Sequence, residues 1–210
     1  MSSSDEVDEG EGQGDSDGQE KAAERRRALA RREAAHTSGV DEAANEHLYL
    51  HLTSLVEVNA GPPLVVSAYM PIRTELNPLP TMRRLVDNGH TVCVPVISAS
   101  GHPLDFAEWS PDALMVDGPF GAAVPAELRL VEPEIVVTPL LAFDRRGYRL
   151  GYGGGFYDRT LTGLRVRGLG YAVGFAYAAQ EIHVVPIDEY DAPLDAIVTE
   201  HGAVKLSKAR

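Results

Sequence analysis

The run Arg149-Leu150-Gly151-Tyr152-Gly153-Gly154-Gly155-Phe156-Tyr157-Asp158-Arg159 gathers the residue types with which a chain holds phosphate. Four glycines fall within five positions, and glycine admits φ > 0 and lets backbone N–H groups approach an anion closely. A helix expected just downstream adds the positive end of its dipole. The Asp158 carboxylate suits a metal ion that bridges phosphate oxygens, although an aspartate at a helix start also suits a cap. The run is neither a P-loop, since no Gly-Lys-Ser/Thr follows at the required gap, nor a dinucleotide fingerprint, since no acidic strand end follows at the usual distance. A plain glycine-rich turn would leave the crowding of Arg149, Tyr157, Asp158 and Arg159 unexplained.

The elements that must position this run are read from period and punctuation. Residues 21–35 predict an alanine-rich helix on which Lys21, Arg25 and Arg32 share one face. A second helix is expected over 40–58, with Ala44, Leu48, Leu52 and Leu55 inward and His47 and His51 on its solvated side. That histidine pair has zinc-like i,i+4 spacing but no third ligand nearby. Strands are expected at 64–69, 91–97, 134–138, 171–175 and 196–199, and helices at 78–88 and 158–164. The stretch 98–133 shows only short extended pieces among Pro and Gly breaks, and Trp109 gives no signal. The expected fold is α/β: one domain with a mostly parallel sheet covered by helices on both faces, in a Rossmann-like three-layer arrangement. Ligands of such sheets bind beyond the carboxyl ends of the strands, which directs attention to 70–76 and 139–158.

Composition narrows the class. The formal net charge of −12 argues against nucleic-acid binding by the body of the protein. Eight acids and no base lie in residues 1–20, a segment expected to be a disordered tail ahead of a single domain at 21–210. Cys93 is the only cysteine, which fits a reducing cytoplasm, and its apolar surroundings suit a buried inert thiol. No apolar run reaches the ~20 residues of a membrane span, and the N-terminus lacks the pattern of a signal peptide. A soluble, cytoplasmic, monomeric protein is expected.

The run 139–144 (Pro-Leu-Leu-Ala-Phe-Asp), then Gly147, then Arg149 to Arg159, closely resembles the signature of the 5-formyltetrahydrofolate cyclo-ligases, also called methenyltetrahydrofolate synthetases. Phe156 stands where a tyrosine is more usual. The resemblance covers nearly the whole chain beyond residue 20. Lys21 and Arg25, with Arg32 further on, look like the family's N-terminal basic helix, with Glu24 in place of a leucine. The segment from Met70 looks like the one that ends in the family's substrate-binding glutamate, here Glu75. Val185-Pro186, then Asp191, Asp195 and Val198-Thr199-Glu200, look like its C-terminal motif.

This resemblance implies an ATP- and Mg²⁺-dependent reaction. The formyl oxygen of 5-formyltetrahydrofolate is phosphorylated, N10 attacks the activated carbon, and phosphate leaves. It places nucleotide binding on Lys21, Arg25, Arg149, Leu150, Gly151, Tyr152, Gly153, Gly154, Gly155, Phe156 and Tyr157, with Arg149 and Tyr157 closest to catalysis. Met70, Glu75 and Phe120 would bind the folate, and Asp158 and Asp191 the Mg²⁺. Phosphoryl transfer needs positioning and charge neutralisation rather than a strong nucleophile, and these residue types supply both; Arg149 is expected as a fork for phosphate oxygens. Ala122 and Val124 depart from the isoleucine and the acidic or amide residue often found nearby. They leave open a second reading, a phosphate-binding module without folate chemistry.

Overall fold

The computed structural model describes residues 11–59 and 63–207. The first ten residues of the expected acidic tail lie outside this range. From there the expectation of disorder is corrected, because the chain is helical from Glu11: α1 runs Glu11–His36, starting well ahead of Lys21. Acidic residues are favoured at the amino end of a helix by its dipole, so the sign change at Lys21 does not mark a boundary.

The remaining elements follow as α2 (Asp41–Asn59), β1 (Val65–Ser67), α3 (Leu79–Asp87), β2 (Thr91–Val96), β3 (Asp105–Trp109), β4 (Met115–Asp117), β5 (Ala123–Pro125), β6 (Ile135–Thr138), β7 (Ala142–Phe143), β8 (Arg149–Leu150), α4 (Phe156–Val166), β9 (Tyr171–Phe175), β10 (Ala196–Thr199) and β11 (Gly202–Ala203). Seven strands form one sheet in the order β11-β10-β9-β6-β1-β2-β3. The five inner strands are parallel, and β3 and β11 join antiparallel at the edges. The pairs β4–β5 and β7–β8 form two small separate ribbons.

The β-branched runs of the inner strands are buried on alternate sides. Val92 and Val94, Ile135 and Val137, Val173 and Phe175, and Ala196 and Val198 belong to a cluster with Ala44, Leu48 and Leu52 of α2 and Met82 and Leu85 of α3. The residues between them, Cys93, Val136, Ala172 and Ile197, cluster with Leu161 and Leu164 of α4. Trp109, unread in the sequence, is a core residue of β3 opposite Val92. His47 and His51 are half-buried rather than solvated: His47 Nδ1 and His51 Nε2 are enclosed without a partner. The His51 ring lies 6.3 Å from that of Tyr171, because α2 lies against the sheet with more than its leucine stripe.

Helix α1 is fastened differently. Its apolar contribution is small: Ala28 and Leu29 meet Leu141, Ala142, Leu150 and Val185. Ala28 and Leu29 thus rest beside the β7–β8 ribbon, while Lys21, Arg25 and Arg32 reach polar partners around it.

Gly147 makes the turn between β7 and β8 at φ +89°, and a Cβ there would sit 2.9 Å from the Leu194 carbonyl oxygen. Its own carbonyl accepts the Leu194 N–H at 2.7 Å, so the backbones are locked together. Gly147→Ala is expected to destabilise the protein by about 2–3 kcal/mol, read as a shift of the denaturant midpoint; an unchanged midpoint would show that the turn relaxes freely. Cys93 is fully buried and its thiol is pushed up to about 12 by burial. It is expected to ignore an aromatic disulfide reagent at mildly alkaline pH until denaturant is added, and prompt reaction of the native protein would contradict this.

Candidate active site

Strand order reverses at β1 and β6, which lie side by side at the centre of the sheet. The chain leaves β1 into the segment 68–78 and leaves β6 into the β7–β8 ribbon and glycine loop. Two segments that diverge from neighbouring carboxyl ends form a crevice between them, and here side chains bridge it. Tyr152, on the glycine loop, brings its hydroxyl to 3.2 Å from Glu75 Oε1.

The loop itself is open backbone. Gly153 and Gly155 have φ of +98° and +63°, and Gly155 occupies the position before α4 with no side-chain cap. Asp158 lies in the first turn of α4 and is therefore not the cap. Among the described residues, no backbone N–H from Gly151 to Gly155 donates to another group of the chain. These donors and the α4 N-terminus make an anion cradle. Arg25 lies over it: its Nε donates to Gly151 O at 3.0 Å, and a Cβ on Gly153 would stand 3.2 Å from its guanidinium carbon. Helix α1 therefore reaches the loop. Leu150 supplies backbone only, as its side chain is buried in the small cluster beneath α1.

Arg149 is engaged within the chain. It is 8 % exposed, its Nη1 donates to Ala192 O at 2.7 Å, and its Nη2 donates to Asp158 Oδ1 at 2.8 Å. One arm of its fork thereby positions Asp158. Asp158 Oδ1 also accepts the Ala192 N–H at 3.1 Å, which brings Asp191 alongside. Asp191 Oδ2 accepts from Lys21 Nζ at 2.6 Å and from the Asp188 N–H at 2.8 Å. Lys21 Nζ donates to Asp188 Oδ2 as well, at 2.9 Å. Burial opposes the Lys21 charge, but these bonds outweigh it and raise its pKa. Lys21 in turn holds the Asp188 carboxyl below the usual range.

The donor set fits Mg²⁺. Asp158 Oδ2 and Asp191 Oδ1 have no hydrogen-bond partner among the described residues, and both are hard oxygens on neighbouring carboxylates. No group of three His, Cys, Asp or Glu side chains converges among the described residues. Two such oxygens could hold Mg²⁺ only with phosphate and water completing its shell, as this ion usually requires.

Glu75 is 5 % exposed, so it is not a solvated loop acid. Its Oε2 accepts the Ile72 N–H at 2.9 Å. Burial pushes its carboxyl up, against the Ile72 N–H and Arg32. The phenol of Tyr157 is also driven up by burial and by Glu75, against Arg149. It stays protonated and can donate a hydrogen bond, not take a proton. Phe120 is 77 % exposed at φ +58°, a left-handed conformation that a bulky side chain rarely adopts. Its ring meets Phe156 edge-on with centroids 6.4 Å apart. Arg73, two residues before Glu75, is the other non-glycine residue with positive φ among the described residues. Met70 packs against the larger core cluster. Phe120 and Glu75 thus each meet an aromatic residue of the loop segment, Phe156 and Tyr152. Asp188 and the buried Arg32 belong to this constellation and were not picked out as site residues from sequence. The spacing of Arg32 on the α1 face was the available signal.

A mostly parallel α/β domain carries, beyond its central strands, an open glycine loop, two cation-linked aspartates and a buried carboxylate, the layout of an α/β enzyme site. The model of the 5-formyltetrahydrofolate cyclo-ligase family matches residues 17–200. A 5-formyltetrahydrofolate cyclo-ligase of Haemophilus influenzae is 32 % identical over 157 residues, 72 % of this chain and 82 % of its own. That of Escherichia coli K12 is 35 % identical over 148 residues, 66 % and 81 % of the two chains. Among solved structures, the 5,10-methenyltetrahydrofolate synthetase of Aquifex aeolicus superposes with a TM-score of 0.67 at 27 % identity, covering 90 % of this chain and 94 % of that one. The synthetase of Mycoplasma pneumoniae gives 0.64 at 26 %, covering 86 % and 98 %. This chain belongs to the 5-formyltetrahydrofolate cyclo-ligase family.

Proposed function

We propose that this enzyme converts 5-formyltetrahydrofolate and ATP to 5,10-methenyltetrahydrofolate, ADP and phosphate, with Mg²⁺. The observation that carries the reading is the meeting of two half-sites. The glycine-loop cradle lies one tyrosine side chain from the buried Glu75, with Tyr152 Oη 3.2 Å from its carboxylate. One half suits a triphosphate, and the other suits the N–H edge of a pterin.

In the proposed reaction the formyl oxygen bonds to the γ-phosphorus as the bond to ADP breaks. N10 then adds to the formyl carbon and loses its proton. The carbon–oxygen bond breaks, assisted by the N5 lone pair, and phosphate departs. The free N–H groups of 151–155 and Arg25 hold phosphate oxygens, while Arg149 fixes Asp158. Lys21 lies at the carboxylate end of the site, and the neutral Tyr157 is a hydrogen-bond donor near both halves. Glu75 accepts pterin N–H groups, Met70 lies at the start of its segment, and Phe120 offers a ring for stacking. Mg²⁺ on the spare oxygens of Asp158 and Asp191 would neutralise the charge of the phosphates.

The approach of Glu75 and Phe120 to the same loop supports this enzyme over a phosphate-binding module without folate chemistry. With α2 and α3 in one cluster and α4 in the other, we also read the sheet as the middle of three layers, covered on both faces in a Rossmann-like manner. Incubating the protein with 5-formyltetrahydrofolate, ATP and Mg²⁺ is expected to generate the absorbance of the methenyl product, and to fail without ATP. Folded protein that yields no product overturns the proposal.

A further inference from the structure

Arg32 is 1 % exposed and incompletely partnered. Its Nε donates to Thr74 Oγ1 at 3.1 Å, but Nη1 and Nη2 are buried and have no acceptor in good hydrogen-bond geometry among the described residues. Glu75 Oε1 is 3.6 Å from Nη1, beyond hydrogen-bond reach, and that oxygen already accepts the Tyr152 hydroxyl. The Tyr152 ring lies 5.6 Å from the guanidinium carbon. Buried charged donors without acceptors are costly, more so than neutral ones. The sequence places Arg32 on the same α1 face as Lys21 and Arg25, whose charged groups both have partners. The Nη edge of Arg32 is thus a pair of buried donors beside the proposed folate carboxylate, with no acceptor of its own.

The acceptor follows from the chemistry of the substrate, an argument that rests on the proposed folate reading of Glu75. A carboxylate takes the 2-amino group and N3–H of the pterin. The next atom along that edge, on the far side of N3, is the carbonyl oxygen O4. With N3–H on Oε1, the oxygen nearer Arg32, O4 falls on the Arg32 side. We infer that Arg32 donates through its Nη edge to O4 of the bound pterin, so that Glu75 and Arg32 together read the 2-amino-4-oxo pattern and reject 4-amino folates. The substrate takes the place on Glu75 Oε1 that the Tyr152 hydroxyl holds. A 4-amino group would turn a donor toward a buried cation and satisfy neither.

The test is calorimetric titration of the full chain with 5-formyltetrahydrofolate and with its 4-amino-4-deoxy counterpart. The unaltered protein is expected to bind the 4-oxo compound about 10- to 100-fold more tightly. Arg32→Gln is expected to lose that preference by weakening the 4-oxo compound alone, with ATP binding unchanged, and Arg32→Lys to restore part of it. Equal affinity of the unaltered protein for both compounds overturns the inference and leaves the proposed function standing. So does an Arg32→Gln protein that is folded and weakened equally toward both, which would make the arginine structural. Folded unaltered protein that binds neither compound overturns the proposed function instead. Because the first comparison needs no variant, a variant that fails to fold does not shelter the inference.

Discussion

Asp158→Asn is expected to lower turnover about a thousandfold while leaving the melting temperature nearly unchanged. The asparagine keeps an oxygen where Asp158 Oδ1 accepts from Arg149 Nη2 and the Ala192 N–H, so the joint between α4 and the segment at 192 survives. It replaces Oδ2, which has no protein partner, with an amide nitrogen that cannot ligate a cation. Asp158→Ala is expected to be equally inactive and also less stable, by about 1–3 kcal/mol, because it orphans a donor of the buried Arg149. Comparing the two variants separates the metal role from the structural one. The measurement is rate of methenyl product against Mg²⁺ concentration, alongside thermal melts. Near-normal turnover by Asp158→Asn at ordinary Mg²⁺ would remove this carboxylate from metal binding.

Glu75→Gln is expected to weaken folate binding by roughly a hundred- to ten-thousandfold, since two charge-assisted hydrogen bonds are lost or turned repulsive at about 1.5–3 kcal/mol each. ATP binding should be untouched. The same variant carries a pH signature. Burial raises the folded-state pKa of Glu75 above its unfolded value. The group's contribution to stability is therefore full below the ordinary glutamate value and is lost as pH rises through the folded one. Glutamine has no such step, so the stability of the variant relative to the unaltered protein should increase with pH across that window. Folate affinity of the unaltered protein should improve over the same window, as the carboxylate forms. Denaturant midpoints and folate titrations at a series of pH values check both. A pH-independent stability difference would mean that burial does not govern this carboxyl.

The inner sheet was legible because its signal is local. The runs at 171–175 and 196–199 are β-branched or aromatic, bounded by turn residues, and both match their strands residue for residue. Helices α2 and α3 likewise end within a residue of expectation, α3 between Pro78 and Asn88-Gly89. What escaped was held by pairing rather than pattern. β4, β5, β7, β8 and β11 are two or three residues long, too short to show a period. β3 was hidden because Asp105 and Glu108 interrupt an otherwise apolar strand, and the connection 97–104 to its antiparallel partner β2 is longer than the short turns that signal a hairpin. In the site, the glycines in sequence marked the open loop that leads into α4. The partner of an arginine is a tertiary fact, however, and no spacing distinguishes a guanidinium that meets phosphate from one that locks an aspartate, as Arg149 does. Burial of Arg32 was invisible for the same reason: helix arithmetic gives its face, not what closes over it.

The partners of α1 also impose an order on assembly. Arg32 meets Thr74 across 42 positions, Arg25 meets Gly151 across 126, and Lys21 meets Asp191 across 170. During synthesis the helix that emerges first must wait for nearly the whole chain before its amino-terminal end can settle, and its apolar face of Ala28 and Leu29 gives little to hold it earlier. Contacts of such long sequence separation are slow to close. Docking of this helix is thus a late event on the folding pathway, and the proposed nucleotide half of the site should mature last, after the sheet beneath it is complete.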